Sequence, residues 1–381
     1  HDNRINGVEP YYYYTPGAAV TVENLSLRIG KGVNTGVVTV VDPSKLIFRN
    51  NTIMGNGSTT NTGLTAGLAL GNITNSFIEG NLINSTTSSI DVFSGYTVTP
   101  KLLFENNTIA NNTFLNTTTY TMYLRDGGIN NTIINNTFKY SADYVFYTVN
   151  ANHAKEDYTH ITQNRIYNNT KAIYLSSSKR TDIDFNDIAN ISGTYGITMG
   201  TATTEYVTIH DNNFTNLPST ANFGAIQFST SARNNSAYNN YINNSARGIV
   251  WDGGQYGNNS AYNNRIYGST NTGLAVSIAG TSITYAPQNI YNNTVCYGKA
   301  AITWGSTAGF NLTKTNNNTF CIRNVYPLDG DDILGTRLNI TFNATNVYNT
   351  TNTSCTVFID GNNNYGSNLT TQDKMNTTIE M

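Results

Sequence analysis

Ile133-Ile134-Asn135-Asn136-Thr137-Phe138 is one instance of a phrase that recurs along this chain. It consists of an apolar residue, two outward residues, an asparagine, any residue, and then Ile, Phe or Val. Working outward in both directions, the asparagine of the phrase falls at Asn51, Asn81, Asn107, Asn136, Asn164, Asn186, Asn212, Asn240, Asn264, Asn293 and, more weakly, Asn318. The steps are about 22 to 30 residues, the period of a solenoid. Between the phrases lies a second apolar stretch usually introduced by Gly or Ala, such as Ala172-Ile173-Tyr174-Leu175, Gly196-Ile197-Thr198-Met199 and Gly248-Ile249-Val250-Trp251. These segments are short, β-branched or aromatic, and flanked by Asn, Gly and Ser, so they read as strands between bends. The i, i+3, i+4 spacing of a helical solenoid is missing.

An all-β parallel β-helix of about 11 or more coils satisfies this pattern. Each strand pairs with its counterpart one coil away, about 4.8 Å along the axis, so equivalent side chains stand in columns. Ile, Phe and Val columns fill the interior. The recurrent Asn occupies a bend, where its amide bonds its own backbone and the Asn of the next coil. The expected organisation is a Tyr-rich arm or cap over 1–20, the β-helix over 21–322, and a β-rich cap or assembly segment over 323–381. The last is marked by the alternation in Arg337-Leu338-Asn339-Ile340-Thr341-Phe342.

Over about residues 20 to 322, the spacing and the Asn-x-Ile/Phe phrase resemble the right-handed parallel β-helix repeats of the pectate-lyase-like superfamily, in particular the NosD-type periplasmic copper-binding repeat group. The resemblance implies a right-handed coil. It is nearly silent on function, because lyases, adhesins, phage spikes and surface-layer proteins share the fold. The Asn/Thr/Tyr-rich composition also resembles archaeal surface-layer or sheath proteins.

Composition narrows the function classes. Charged residues are 12% of the 381, with a net charge of -2, too few cations to line a nucleic-acid surface. No apolar run is long enough to span a membrane. There are 61 asparagines and 25 Asn-x-Ser/Thr triplets, against roughly 14 expected by chance. Candidate glycosylation positions are Asn50, Asn106, Asn111, Asn130, Asn135, Asn168, Asn190, Asn213, Asn234, Asn258, Asn292, Asn339 and Asn343. With a chain that opens at His1, these features point to a processed protein secreted to the cell envelope, with the alternative that sequons are a by-product of an Asn-rich fold.

Three cysteines leave one odd. Cys296 and Cys321 each follow a ladder Asn by three residues, so they share a register in adjacent coils, about 5 Å apart and within reach of a disulfide. In-register stacking aims their Cβ atoms in parallel, which is poorer geometry, and reduced buried thiols are the alternative. Cys355 is then free or available to another subunit.

Counting two residues back from each ladder Asn gives one outer column: Arg49, Glu79, Glu105, Ile134, Thr162, Asp184, His210, Tyr238, Tyr262, Tyr291. Its lower part, with His160 and Asp182, is the best enzymatic candidate: His160, Asp182, Asp184 and His210 bring carboxylates and imidazoles to one face, as proton transfer or metal binding requires. Solvated surface is the alternative. Its upper part, Tyr238, Tyr262 and Tyr291, is an aromatic row suited to sugar or protein packing. Asp329-Gly330-Asp331-Asp332 clusters carboxylates without a calcium-loop pattern, so calcium is a weak expectation and no other cofactor is implied. The function expected is a self-assembling envelope protein of a sheath, surface layer or filament, not an enzyme. The alternatives are a polysaccharide-binding protein or polysaccharide lyase or hydrolase, with glycans as partners, and a trimeric adhesin or spike.

Overall fold

The computed structural model describes residues 17–29, 38–55, 66–92, 104–125, 128–149, 158–176, 178–200, 204–217, 224–229, 231–252, 257–277 and 288–296, with isolated strands elsewhere. Those residues form strands and bends, and no helix among them is long and apolar enough to cross a membrane. The chain divides into two units, His1–Gly193 and Thr194–Met381. Each is a stack of parallel coils, the parallel β-helix that the repeat predicts.

One coil of the first unit shows the plan. Thr132–Ile134 lies in a first sheet, Thr137–Lys139 in a second, and Tyr144–Val149 in a third. Each pairs in parallel with its counterparts one coil away: Ile133 stands between Ile109 and Ile161, and Phe138 between Phe114 and Ile166. A short fourth strand, Gly128–Ile129, precedes the first sheet. The second unit repeats the plan with Ser236–Tyr238, Tyr241–Asn243 and Arg247–Asp252.

The coil turns by a five-residue rule finer than the repeat read from the sequence. In the coil that begins at Asn130, the residues Asn130, Asn135 and Tyr140 have φ of 54°, 54° and 63°. The residue after each, Asn131, Asn136 and Ser141, is buried. The pentads opened by Asn130 and Asn135 each run as a left-handed exposed corner, a buried polar residue, an outward residue, a buried apolar residue, and another outward residue. Asparagine suits the corner because its short polar side chain tolerates the left-handed conformation better than other L-residues. The two asparagines of an Asn-Asn-Thr triplet thus do different work.

The buried one forms the ladder. Asn136 Nδ2 donates to Asn164 Oδ1 at 3.0 Å and to Ile109 O at 2.8 Å, and Asn136 Oδ1 accepts the Asn112 backbone N–H at 2.9 Å. In the first unit the ladder runs Asn51, Asn81, Asn112, Asn136, Asn164, Asn186, and in the second Asn212, Asn240, Asn264, Asn293, Asn318. Buried amides with partners on both sides leave few corner groups unpaired. The apolar fourth positions, such as Ile109, Ile133, Ile161, Ile166 and Ile188, are 0–2% exposed, each contributing about 1.5–3 kcal/mol by burial.

One rung of the predicted ladder is corrected. Asn81 meets Asn112, not Asn107. Asn107 belongs to a second ladder one corner earlier, where its Nδ2 donates to Asn131 Oδ1 at 3.0 Å; Asn235 and Asn259 form the same ladder in the second unit. The phrase Asn-x-Ile/Phe occurs at two consecutive corners of that coil, Asn107-Thr108-Ile109 and Asn112-Thr113-Phe114, and counting one phrase per coil selects the wrong one. Glu105 moves with it: it pairs with Thr74 and Ile129 in the fourth sheet, and the column of Arg49 and Glu79 continues through Ala110.

At the N-terminal end Tyr11–Tyr14, read as part of an arm or cap, pairs in parallel with Val38–Val41 as the outermost strand of the third sheet. Near the C-terminus, Asn346–Asn349 still pairs in parallel with Thr319–Ile322, and Val357–Phe358 pairs antiparallel with Asn368–Leu369. Cys296 stands opposite Cys321 in register, as predicted, while the Cys321 side chain lies outside the described residues. Cys355, Asp331, Asp332, Asn339 and Asn343, and the side chain of Asp329, also lie outside them.

Candidate functional site

The strands His160–Thr162 and Asp182–Asp184 of the first unit, with the corners that flank them, hold the densest chemistry among the described residues. His160–Thr162 pairs with Asp182–Asp184, His160 opposite Asp182 and Thr162 opposite Asp184. All four point outward, because Ile161 and Ile183 between them fill the core. His160 Nε2 lies 2.8 Å from Asp184 Oδ1 and 3.9 Å from Asp182 Oδ2. The Asp184 side chain is only 9% exposed, whereas His160 and Asp182 are each 39% exposed. Three of the four residues predicted to form one patch are therefore together. The fourth, His210, belongs to the second unit, where its Nδ1 lies 2.8 Å from Asp211 Oδ2.

The corners beside this cluster break the asparagine rule. Where neighbouring coils carry Asn106, Asn111, Asn130 and Asn135, these two coils carry Tyr158, Gln163, Arg180 and Phe185, with φ of 46°, 56°, 57° and 51°. Two of the four are aromatic and exposed, Tyr158 at 48% and Phe185 at 57%. Arg180 stacks on Tyr158, its Cζ 5.4 Å from the ring centroid. A bulky residue in the left-handed region costs about 1 kcal/mol or more, and an exposed ring recovers little of that by burial. Tyr158 and Phe185 stand at opposite margins of the outer face, about 16 Å of strand apart, with the His160, Asp182 and Asp184 side chains between. Nothing in the sequence marks these corners until the pentad is known; then they are among the positions where Asn is replaced, as it also is at Tyr140 and Tyr206.

The second unit carries the predicted aromatic row. Tyr238, Tyr262 and Tyr291 are in register, and His210 joins them. Ring centroids are 4.6 Å apart for His210–Tyr238, 4.8 Å for Tyr238–Tyr262 and 4.9 Å for Tyr262–Tyr291, with interplanar angles of 8°, 5° and 2°. Rings stacked this way cover one another's faces, so the row presents edges and hydroxyls. Burial, and then Tyr291, holds the Tyr262 phenol above its ordinary range.

A second aromatic group, not anticipated from the sequence, lies on the third sheet of the first unit. Tyr123, Tyr147 and Tyr174 are in register, Tyr120 stacks on Tyr147 at 4.4 Å, and Lys171 Nζ sits 4.6 Å over Tyr144 while pairing with Asp143 at 2.8 Å. Burial and the surrounding phenols push Tyr147 up to about 12. Its folded pKa lies above the unfolded value of 10, so the stability this neutral phenol contributes is complete below pH 10 and is lost as pH rises from 10 to about 12. The expected result is a late-ionising phenolate in an ultraviolet pH titration that is missing in Tyr147→Phe. A titration unchanged by that substitution would contradict the environment described.

The candidate glycosylation positions Asn50, Asn106, Asn111, Asn130, Asn135, Asn168, Asn190, Asn234, Asn258 and Asn292 all occupy left-handed corners. Several bond along the coil axis, as Asn135 Nδ2 does to Asn111 Oδ1 at 2.6 Å. Asn213 instead lies exposed in a strand.

Residues 2–156 match the family described as "Right handed beta helix region", in keeping with the right-handed coil implied by the repeat. No curated protein matches the sequence. Among solved structures, the chain is similar to the A-module of the mannuronan C-5 epimerase AlgE4 of Azotobacter vinelandii, at 13% identity and a TM-score of 0.39 over 85% of this chain and 89% of that one. It is also similar to the tailspike protein of E. coli bacteriophage HK620 in complex with a pentasaccharide, at 12% identity and a TM-score of 0.44 over 89% and 73%. A third is a hyperthermoactive exopolygalacturonase from Thermotoga maritima, at 11% identity and a TM-score of 0.35 over 91% and 84%.

Proposed function

We propose that the chain binds an extended polysaccharide across the outer face of the first sheet, between Tyr158 and Phe185. The observation that carries this reading is the pair of exposed rings in strained corners. Asparagine would satisfy both corners at lower backbone cost, as it does in most neighbouring coils, so the corner conformation itself does not call for an aromatic ring. An exposed aromatic face suits a sugar ring, and the polar groups between the two margins suit its hydroxyls. The expectation of a self-assembling sheath or surface layer rests on the Asn/Thr/Tyr-rich, low-charge composition, on its resemblance to surface-layer proteins and on solenoid edges that a neighbour could pair.

The reading sets stability against binding. Tyr158→Asn and Phe185→Asn are each expected to stabilise the chain by about 0.5–1 kcal/mol, by relieving the left-handed strain. Each is also expected to weaken polysaccharide binding by about 5- to 30-fold, the loss of one well-placed aromatic contact. A polysaccharide array followed by titration of the hits measures the second effect, and thermal unfolding the first. Variants that gain stability yet bind as the parent does would refute the proposal. Turnover of a bound polysaccharide that disappears in His160→Ala would replace simple binding with catalysis.

A further inference from the structure

We infer that His160, Asp182 and Asp184 form a binding site for a first-row divalent transition cation, with zinc as the probe. His160 Nε2, one oxygen of Asp182 and one of Asp184 all lie within 4.8 Å of one another. Ligands bonded to one small cation at 2.0–2.2 Å sit about 3 to 3.5 Å apart. The separations of 2.8 Å and 3.9 Å from His160 Nε2 bracket that range, so small side-chain rotations complete the geometry.

The second observation is the state of Asp184. Its side chain is 9% exposed, and its side-chain partner is His160, within the cluster itself. A carboxylate this buried needs a compensating charge or several hydrogen bonds. In the paired strand of the same unit the outward neighbour of Asp184 is Thr162, which is uncharged and itself buried. A cation at the open side of Asp184 supplies the charge, while half-exposed His160 and Asp182 leave an entry path and positions for water.

The donor set selects the class of ion. An imidazole nitrogen with two carboxylates suits zinc and its first-row neighbours, whereas calcium takes six to eight oxygens and magnesium holds its own waters. The ligands come from two neighbouring coils and from the third and fifth pentad positions. They are preset by strands that Ile161 and Ile183 anchor in the core, not by a loop.

The test titrates the full chain with zinc, without polysaccharide, by calorimetry, and with cobalt(II) as a spectroscopic substitute. The expected result is a site whose affinity falls tenfold or more in both His160→Ala and Asp184→Asn, with loss of the cobalt ligand-field band. Asp184→Asn preserves shape, and circular dichroism confirms that each variant keeps its strands. Zinc binding unchanged by both substitutions, or equal displacement of zinc by calcium, would overturn the assignment. The Tyr158→Asn/Phe185→Asn double variant is expected to bind zinc as the parent does, so failure of the polysaccharide reading and failure of the metal site are told apart.

Discussion

Asn136→Ala is expected to destabilise the chain by about 4 kcal/mol, whereas Asn135→Ala, one residue away, costs about 1 kcal/mol. The first substitution removes an amide with partners on both neighbouring coils. It leaves the Asn112 backbone N–H, the Asn112 side-chain amide and the Ile109 carbonyl without the acceptor or donor they now use. All lie at a corner where the residues are at most 1% exposed, so water does not replace the lost bonds. Each orphaned buried group costs about 1–3 kcal/mol, partly relieved by relaxation. Asn135 is exposed, and alanine there chiefly meets the left-handed penalty at φ 54°. Asn135→Gly removes that penalty and should be close to neutral. Urea unfolding of the three variants decides the matter: equal shifts for Asn135→Ala and Asn136→Ala would mean that the two asparagines do not divide the work as described.

Gly248→Ala is expected to cost about 3 kcal/mol, at the upper end for one added methyl group. Gly248 is the second residue of its third-sheet strand, Arg247–Asp252, at a close approach to the next coil. A Cβ there would lie 2.4 Å from the Gly273 carbonyl oxygen and 2.8 Å and 2.9 Å from two carbons of Ile266. The carbonyl is part of the backbone of the next coil and the Ile266 side chain is fully buried, so neither yields cheaply. Gly17→Ala is the contrast: its φ is +73°, but nothing lies within 4 Å of the added carbon, so only backbone strain is at stake, about 1 kcal/mol. Thermal midpoints separate the two, and a Gly248→Ala protein within about 0.5 kcal/mol of the parent would show that the coils can part locally.

Polysaccharide binding and the zinc site concern the same two coils but different atoms. Tyr158 and Phe185 act through ring faces at the margins. The His160, Asp182 and Asp184 side chains act through lone pairs at the centre.

Much of this was legible in the order of residues. Asn136 with Phe138 and Asn164 with Ile166 sufficed for the coil, its period and the inward column, because a solenoid repeats its side chains at fixed steps. The juxtaposition of Cys296 with Cys321 and the row Tyr238, Tyr262, Tyr291 followed from register alone. The slip at Asn107 shows where such counting fails. Two corners of one coil carry the same words, and only strand pairing tells which Asn stands above Asn81.

The sequence by itself determined a parallel stack whose interior is Ile, Phe and Val and whose bends are asparagine, because periodic burial and a left-handed bend demand those residue types wherever they occur. Tertiary structure alone decided that Asp184 is buried beside His160 and that Tyr158 and Phe185 stand exposed in corners made for asparagine. Those properties depend on which atoms of neighbouring coils meet across the stack, and residues twenty or so apart carry no mark of that distance until the chain has closed each turn.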